Sequence, residues 1–460
     1  MRASNCAIVY GVTLSARPPA IAPQATGSPR PIAVDLFAGA GGLSLGFEQA
    51  GFDIVAAVEY DPVHAATHLY NFPECEIVCR DLRKLSSDRL MQAVARGVTK
   101  LRPTTAWDGT VDALIGGPPC QGFSTGGKRE EGDARNEMIL EFVRIVEQLR
   151  PRVLCLENVS GILDERFASV REEAFRRLRG AGYQLSGTDG TLNAKDFGVP
   201  QSRKRVIVLG WRGGDPGVPS SAGRATVLVG EALEGLPNPA HYPSLLSSDQ
   251  VPLGITGTLL RNSSTGSYSR LLAGLDTPSW DFSHPRVWDH TLLSGSRRTV
   301  HSADTIRRFS QTKPGSVEPR SRLFRLTPSG HARTLRAGTG AERGAHTSPR
   351  PIHPTQDRVI TVREAARLHG YPDWFRFHVT NWHGHRQVGN SVPPPLARAA
   401  GEQLIKKLGL APVRPTAKLH LGDASLLSLS MAEAVVRLGA VTDELPAPRS
   451  RPVIPEALAG

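Results

Sequence analysis

Five short apolar runs separated by amphipathic stretches constrain the fold of this chain more than any other feature. The runs are Ile32 to Phe37, Ile54 to Val58, Val111 to Ile115, Val153 to Leu156 and Val206 to Leu209. Each has the length and continuity of a strand. Several are separated by stretches of helical periodicity, such as Arg135 to Leu149 and Phe167 to Arg179. Strands alternating with helices predict an α/β fold, a doubly wound and mostly parallel sheet.

The alternation stops near Trp211. From residue 212 to about 350 Gly, Pro, Ser and Arg dominate, which predicts a smaller, irregular second domain with long loops. Helix signals return at Thr361 to His369 and Pro394 to Leu408. We therefore read 1–30 as a disordered extension, 31–211 as the main domain, 212–350 as the second domain and 351–410 as a return to the first. A tail, 411–460, holds one helix over Asp423 to Leu438, with Leu427, Met431, Val435 and Leu438 on one face. No internal repeat and no run of 18 apolar residues is present, so no membrane helix is expected. Five cysteines are too few and too scattered for a disulfide framework, which suits a reducing compartment. Cys75 and Cys79 have no second pair to complete a metal site, so no metal is expected.

Net charge is +12, and it is unevenly placed. From Asp281 to Arg350 thirteen Arg or Lys face five Asp or Glu. So one-sided a block points to phosphate, and to nucleic acid as partner.

Two loops carry the chemistry. The first, Asp35-Leu36-Phe37-Ala38-Gly39-Ala40-Gly41-Gly42-Leu43-Ser44, follows the first strand and opens a helix. Its glycines let a ligand approach the backbone closely, but Ser44 stands where a dinucleotide fingerprint needs its third glycine. Glu59 ends the next strand, twenty residues after Gly39, where an acid can hold a ribose diol. Asp81, after a third short strand, can accept from an adenine amino group. Together they suit a nucleoside ligand better than a nicotinamide cofactor. The second loop is Gly116-Gly117-Pro118-Pro119-Cys120-Gln121-Gly122-Phe123-Ser124. Its glycines and prolines end a strand in a stiff turn that presents a thiol. Taken alone, Cys120 reads equally as a nucleophile or as a small buried hydrophobe.

With these motifs in place, the chain resembles the C5-cytosine DNA methyltransferase family from Pro31 to about Leu408. Asp35 to Gly39 with Gly41-Gly42 is similar to its S-adenosylmethionine loop, and Pro118-Pro119-Cys120-Gln121 to its catalytic loop. Glu157-Asn158-Val159 and Gln201-Ser202-Arg203-Lys204-Arg205 resemble its two base-handling motifs. Arg363 to Leu368 with Gly370-Tyr371-Pro372, and Gln387 to Pro394, resemble its last two motifs. The order agrees throughout, including a variable stretch after Arg205. His331 to Gly338 resembles the family's short Thr-Leu element in the DNA-reading domain. Pro118 stands where some members have Phe, and Ser391 where Ala is common.

The resemblance implies a Rossmann-like methyltransferase domain with a target-recognition domain, and a reaction at C5 of a flipped-out cytosine. It implies Cys120 as nucleophile, Glu157 at N3 and the exocyclic amine, and Arg203 and Arg205 at O2. Pro118, Gln121, Ser124 and Asn158 fall to the substrate, and Lys128 and Arg129 to phosphates on a lid over 124–135. Phe37, Gly39, Gly41, Gly42, Leu43, Glu59, Tyr60, Asp81, Pro119, Met138, Asn390 and Val392 fall to S-adenosylmethionine. The implied partners are double-stranded DNA and a cognate restriction endonuclease, for a monomer in the cytoplasm at a bacterial nucleoid.

Those residue types suit that chemistry. Adding a thiolate at C6 turns C5 into an enamine-like nucleophile, splitting one hard step into two. A free thiol, with a pKa of about 8.5, needs nearby cations or backbone N–H groups to ionise. Proton donation to N3 needs a carboxyl held protonated by burial. The base must first leave the stack, at a cost of about a few kcal/mol. Three alternatives stand beside this reading. A transfer-RNA cytosine methyltransferase is disfavoured by the long second domain, and an inactive DNA-binding relative by the intact Cys120, Glu157, Arg203 and Arg205. A nicotinamide dehydrogenase is disfavoured by Ser44 and the Pro-Pro-Cys turn.

Overall fold

The computed structural model describes residues 30–119, 137–255, 257–258, 266–338 and 350–441. At its centre β1 (Ile32–Leu36), β2 (Asp53–Glu59), β3 (Glu76–Cys79), β4 (Ala113–Gly116) and β5 (Val153–Val159) run parallel in the order β3-β2-β1-β4-β5. β9 (Lys204–Trp211) joins antiparallel beside β5, and β6 (Gln184–Ser186) and β7 (Leu192–Asn193) pair with β9 to complete eight strands. The expected doubly wound sheet is therefore present. β1 and β2 are buried along their whole length because both faces of the sheet are covered, which explains their continuous apolar character.

On one face Ala33, Ala57, Ile115 and Cys155 share a core with Phe47 of α1 (Gly42–Ala50) and Leu396 of the helix Pro394–Lys407. On the other, Val34, Val58, Leu114 and Leu154 pack with Val94 of α3 (Ser87–Leu101) and Phe142 of α4 (Met138–Leu149). α2 (Pro62–Asn71) follows β2, and α5 (Ala168–Gly180) contacts α4. Strand order reverses between β1 and β4, so a crevice opens at their carboxyl ends. Both motif-bearing loops start there.

Between Trp211 and residue 350 the described elements are short, none longer than the nine-residue helix Ala303–Gln311. β8 (Gln201–Ser202), just before β9, pairs in parallel with Ala332–Arg333 as a separate two-stranded sheet that ties the second unit to the first. The strand Arg286–Val287 pairs in parallel with Leu419–His420 of the tail.

Two boundaries differ from expectation. Residues 1–29 lie outside the described residues, but Arg30 belongs to the fold and not to the extension. Its guanidinium contacts Asp53 at 2.6 Å and donates to the carbonyls of Phe52 and Phe282. Asp53 also takes Arg102 and His284, so burial, which pushes its carboxyl up, is outweighed and it titrates well below the usual range. In the tail, the single helix over Asp423 to Leu438 is divided. A 3-10 turn, Ala424–Leu427, is capped by Asp423, and the helix Met431–Leu438 is started separately by a Ser430–Glu433 capping box. Leu427 is buried, but Met431 is 45% exposed, so the proposed common apolar face is not formed.

Candidate active site

The first loop turns sharply out of β1. Phe37 has φ 61°, a left-handed conformation that costs a bulky residue energy, and Gly39 and Gly41 follow at φ 57° and 102°. Glu59 holds the turn: one carboxylate oxygen accepts from the Gly39 N–H at 2.7 Å, the other from Asp61 N–H at 2.8 Å. Burial pushes the Glu59 carboxyl up, only partly offset by His64 and the Asp61 amide. Gly42 opens α1, where a Cβ would collide with the Tyr371 hydroxyl and the Val392 carbonyl. Thus the last motif closes on the first, with Leu43 and Val392 buried. Asn390 is exposed at the end of the helix Asn381–Asn390.

Asp81 caps the 3-10 turn Leu82–Lys84 and chelates the Arg83 guanidinium at 2.6 to 3.1 Å. Burial raises its pKa, but Arg83 prevails and the net shift is downward. Tyr60 is 36% exposed beside Glu59, and Met138 is buried at the start of α4. Glu59 and Val392 are thus both drawn against the first loop, while Asp81 is already paired with Arg83.

The second loop leaves β4, hydrogen-bonded between β1 and β5. Glu157 on β5 reaches across to it, and a Cβ on Gly117 would lie 2.8 Å from the Glu157 carboxylate. Arg205, opposite Val159 on β9, places Nε 2.8 Å from Glu157. Burial raises the Glu157 pKa against the lowering effects of Arg205 and Arg203. Pro118 is buried and Pro119 partly so at the strand end. Asn158 is buried, and its side-chain oxygen accepts from the Val159 N–H at 2.9 Å. Cys120, Gln121, Ser124, Lys128 and Arg129, with the whole of the lid, lie outside the described residues.

Arg203 departs from its expected place at the base. Its guanidinium is 1% exposed and donates to the carbonyls of Leu335, Gly389 and Ser391 at 2.9 to 3.0 Å. A fork engaged with three main-chain carbonyls acts as a brace between the segments it joins.

Sequence reasoning missed a buried polar chain under the first loop. His68 Nε2 lies 3.1 Å from Ser44 Oγ, which donates to Asp35 Oδ2 at 2.6 Å. Burial raises Asp35 to about 7 and holds His68 down at about 3. Ser44 thus has a polar role at the position where the fingerprint lacks its glycine. Only the unusual placement of a carboxyl in an apolar strand signalled it.

Comparison with known proteins agrees with this geometry. The sequence profile described as C-5 cytosine-specific DNA methylase matches residues 33–406. The chain is 46% identical over 426 residues to the Type II methyltransferase M.XorII of Xanthomonas oryzae pv. oryzae, across 92% of this chain and 96% of that one. It is 32% identical to the Type II methyltransferase M1.HphI of Haemophilus parahaemolyticus, across 81% and 86% of the two. Among solved structures, a DNA modification methyltransferase encoded within an E. coli prophage superposes with a TM-score of 0.65 at 32% identity. That match covers 83% of this chain and all of the other.

Proposed function

Because the chain belongs to the C-5 cytosine-specific DNA methylase family and is a DNA cytosine-5 methyltransferase, we propose how its own residues carry out that reaction. The carboxyl–guanidinium pair of Glu157 and Arg205 beside the Gly117 turn carries the proposal. In this reading Cys120 ionises and its sulfur bonds to C6 of a flipped cytosine. Glu157, kept protonated by burial, donates to N3 and takes up the charge that spreads onto the ring. Arg205 donates to O2, and the Pro118 carbonyl accepts from the exocyclic amine. Once C5 carries the methyl group, its proton leaves to solvent, N3 returns its proton to Glu157, and the C6–S bond breaks to expel the thiolate and restore the aromatic ring.

S-adenosylmethionine supplies, when bound, an electrophilic methyl group that C5 accepts. The loop of Phe37 and Gly39 suits it: Glu59 offers acceptors for a diol, and a Cβ at Gly39 would meet no atom within 4 Å. Tyr60, Leu43, Met138, Pro119, Asn390 and Val392 complete the proposed contacts, with Asp81 reaching adenine only by sharing its carboxylate with Arg83. Duplex DNA is the proposed substrate, with Arg333 and Arg336, both exposed, among the groups facing it. M.XorII and M1.HphI are named Type II methyltransferases, so we place this chain in a restriction-modification system with a partner endonuclease, as a cytoplasmic monomer.

Bisulfite sequencing of a host expressing the chain tests the reaction, and should show methylcytosine at one recurring sequence. Cys120→Ala should abolish both that signal and covalent trapping by 5-fluorocytosine DNA while retaining DNA binding. Normal methylation by the variant would remove Cys120 from the mechanism.

A further inference from the structure

We propose that Arg203, with Gln201 and His369, is a positioning residue that ties the seating of the cofactor to the seating of the DNA-reading element. The three side chains are at most 1% exposed. Gln201 Oε1 accepts from the Leu335 N–H at 3.0 Å, while Arg203 Nη1 donates to the Leu335 carbonyl at 2.9 Å. Both backbone groups of one residue in the Thr-Leu element are therefore held by side chains of the catalytic unit. Thr334 adds a bond to the Ser202 carbonyl at 2.9 Å.

The same set of side chains grips the other motif. Arg203 Nη2 donates to the carbonyls of Gly389 and Ser391, which flank Asn390. His369 Nε2 donates to that Ser391 carbonyl at 3.0 Å, and its Nδ1 accepts from Gln201 Nε2 at 2.9 Å. One tautomer satisfies both bonds, and burial keeps the ring neutral to hold it. Arg203 Nη1 thus serves the Leu335 side and Nη2 the Gly389 and Ser391 side.

That division creates the linkage. A buried guanidinium that loses an acceptor keeps its charge and its unmet N–H groups. Displacing the Leu335 segment strands part of the fork that also holds Gly389 and Ser391, and the reverse holds equally. A ligand that fixes one segment therefore favours the seated form of the other, and the effect must be reciprocal. Exposed Arg333, Thr334 and Arg336 surround Leu335, so DNA bound there acts directly on the held backbone.

The inference rests on the proposed cofactor site. Its test is calorimetric titration of the full chain with S-adenosylhomocysteine, alone and with saturating PCR-amplified genomic DNA, which carries no methylation. Wild type should bind the nucleoside at least about fivefold more tightly with DNA present. Arg203→Lys keeps the charge and loses the fork, and its ratio should fall toward one. Gln201→Met, near in size and without hydrogen bonds, should do the same and stands in if the first variant does not fold. A merely structural role would weaken each ligand separately and leave the ratio unchanged, which would overturn the inference. A wild-type ratio of one would also overturn it, leaving the cofactor reading intact. Failure of wild type to bind the nucleoside under either condition would remove both.

Discussion

Asp35 shows what one residue's surroundings can do. It lies in a buried strand, hydrogen-bonded to Ser44, with Glu59 among the groups that raise its pKa to about 7. The folded chain therefore holds a proton that the unfolded chain releases near pH 4. The sign follows: stability is fully present below about pH 4, declines between about pH 4 and 7, and is level above. The decline is at most roughly 4 kcal/mol. Asp35→Asn should remove most of it, so the melting temperatures of wild type and variant should diverge as the buffer moves from pH 4 to 7. Parallel curves would refute the burial argument. Glu157→Gln removes the proton donor and should lower kcat by on the order of a hundredfold or more, with a smaller change in KM for DNA. The sequence made Glu59 legible because it ends a strand at the crevice, and Glu157 through the resemblance of its motif. It could not separate Arg203 from Arg205. Both lie in one short motif, yet one guanidinium runs to Glu157 and the other to carbonyls more than a hundred residues away.

At the scale of elements, apolar runs predicted the strands well because both sheet faces are covered. Helix ends were less legible where two capping signals lie close together. Asp423 and Ser430 each start their own element, and periodicity alone merged them. Ser430→Ala deletes the bond to the Glu433 N–H and should destabilise the tail helix by about 1 kcal/mol, seen as faster amide exchange over 431–438. Unchanged exchange would mean the helix is held by packing alone. Gly42→Ala pushes a methyl group into the Tyr371 hydroxyl and Val392 carbonyl. We expect it to raise KM for S-adenosylmethionine well above its effect on DNA affinity. An equal loss for both ligands would show that the contact matters only for the fold.

Across the whole molecule, composition told of a nucleic-acid partner but not of how the parts are fastened. Asp53 gathers Arg30, Arg102 and His284 from three distant segments, and the tail strand pairs with Arg286–Val287. No local pattern announces pairings across such separations. The positive charge makes a measurable claim: affinity for duplex DNA should fall steeply with salt, on the order of a thousandfold or more between about 50 and 200 mM. A flat response would count against the basic region as the DNA-facing surface.

The meeting of Gly42 with Val392 also bears on synthesis. A ribosome delivers the amino-terminal half of this pocket some 350 residues before the part that shuts it. Any polypeptide released before that late stretch emerges carries Glu59, Asp81, Cys120 and Glu157 and still lacks Val392 against the first loop. Competence to modify DNA therefore arrives late in translation, and abruptly.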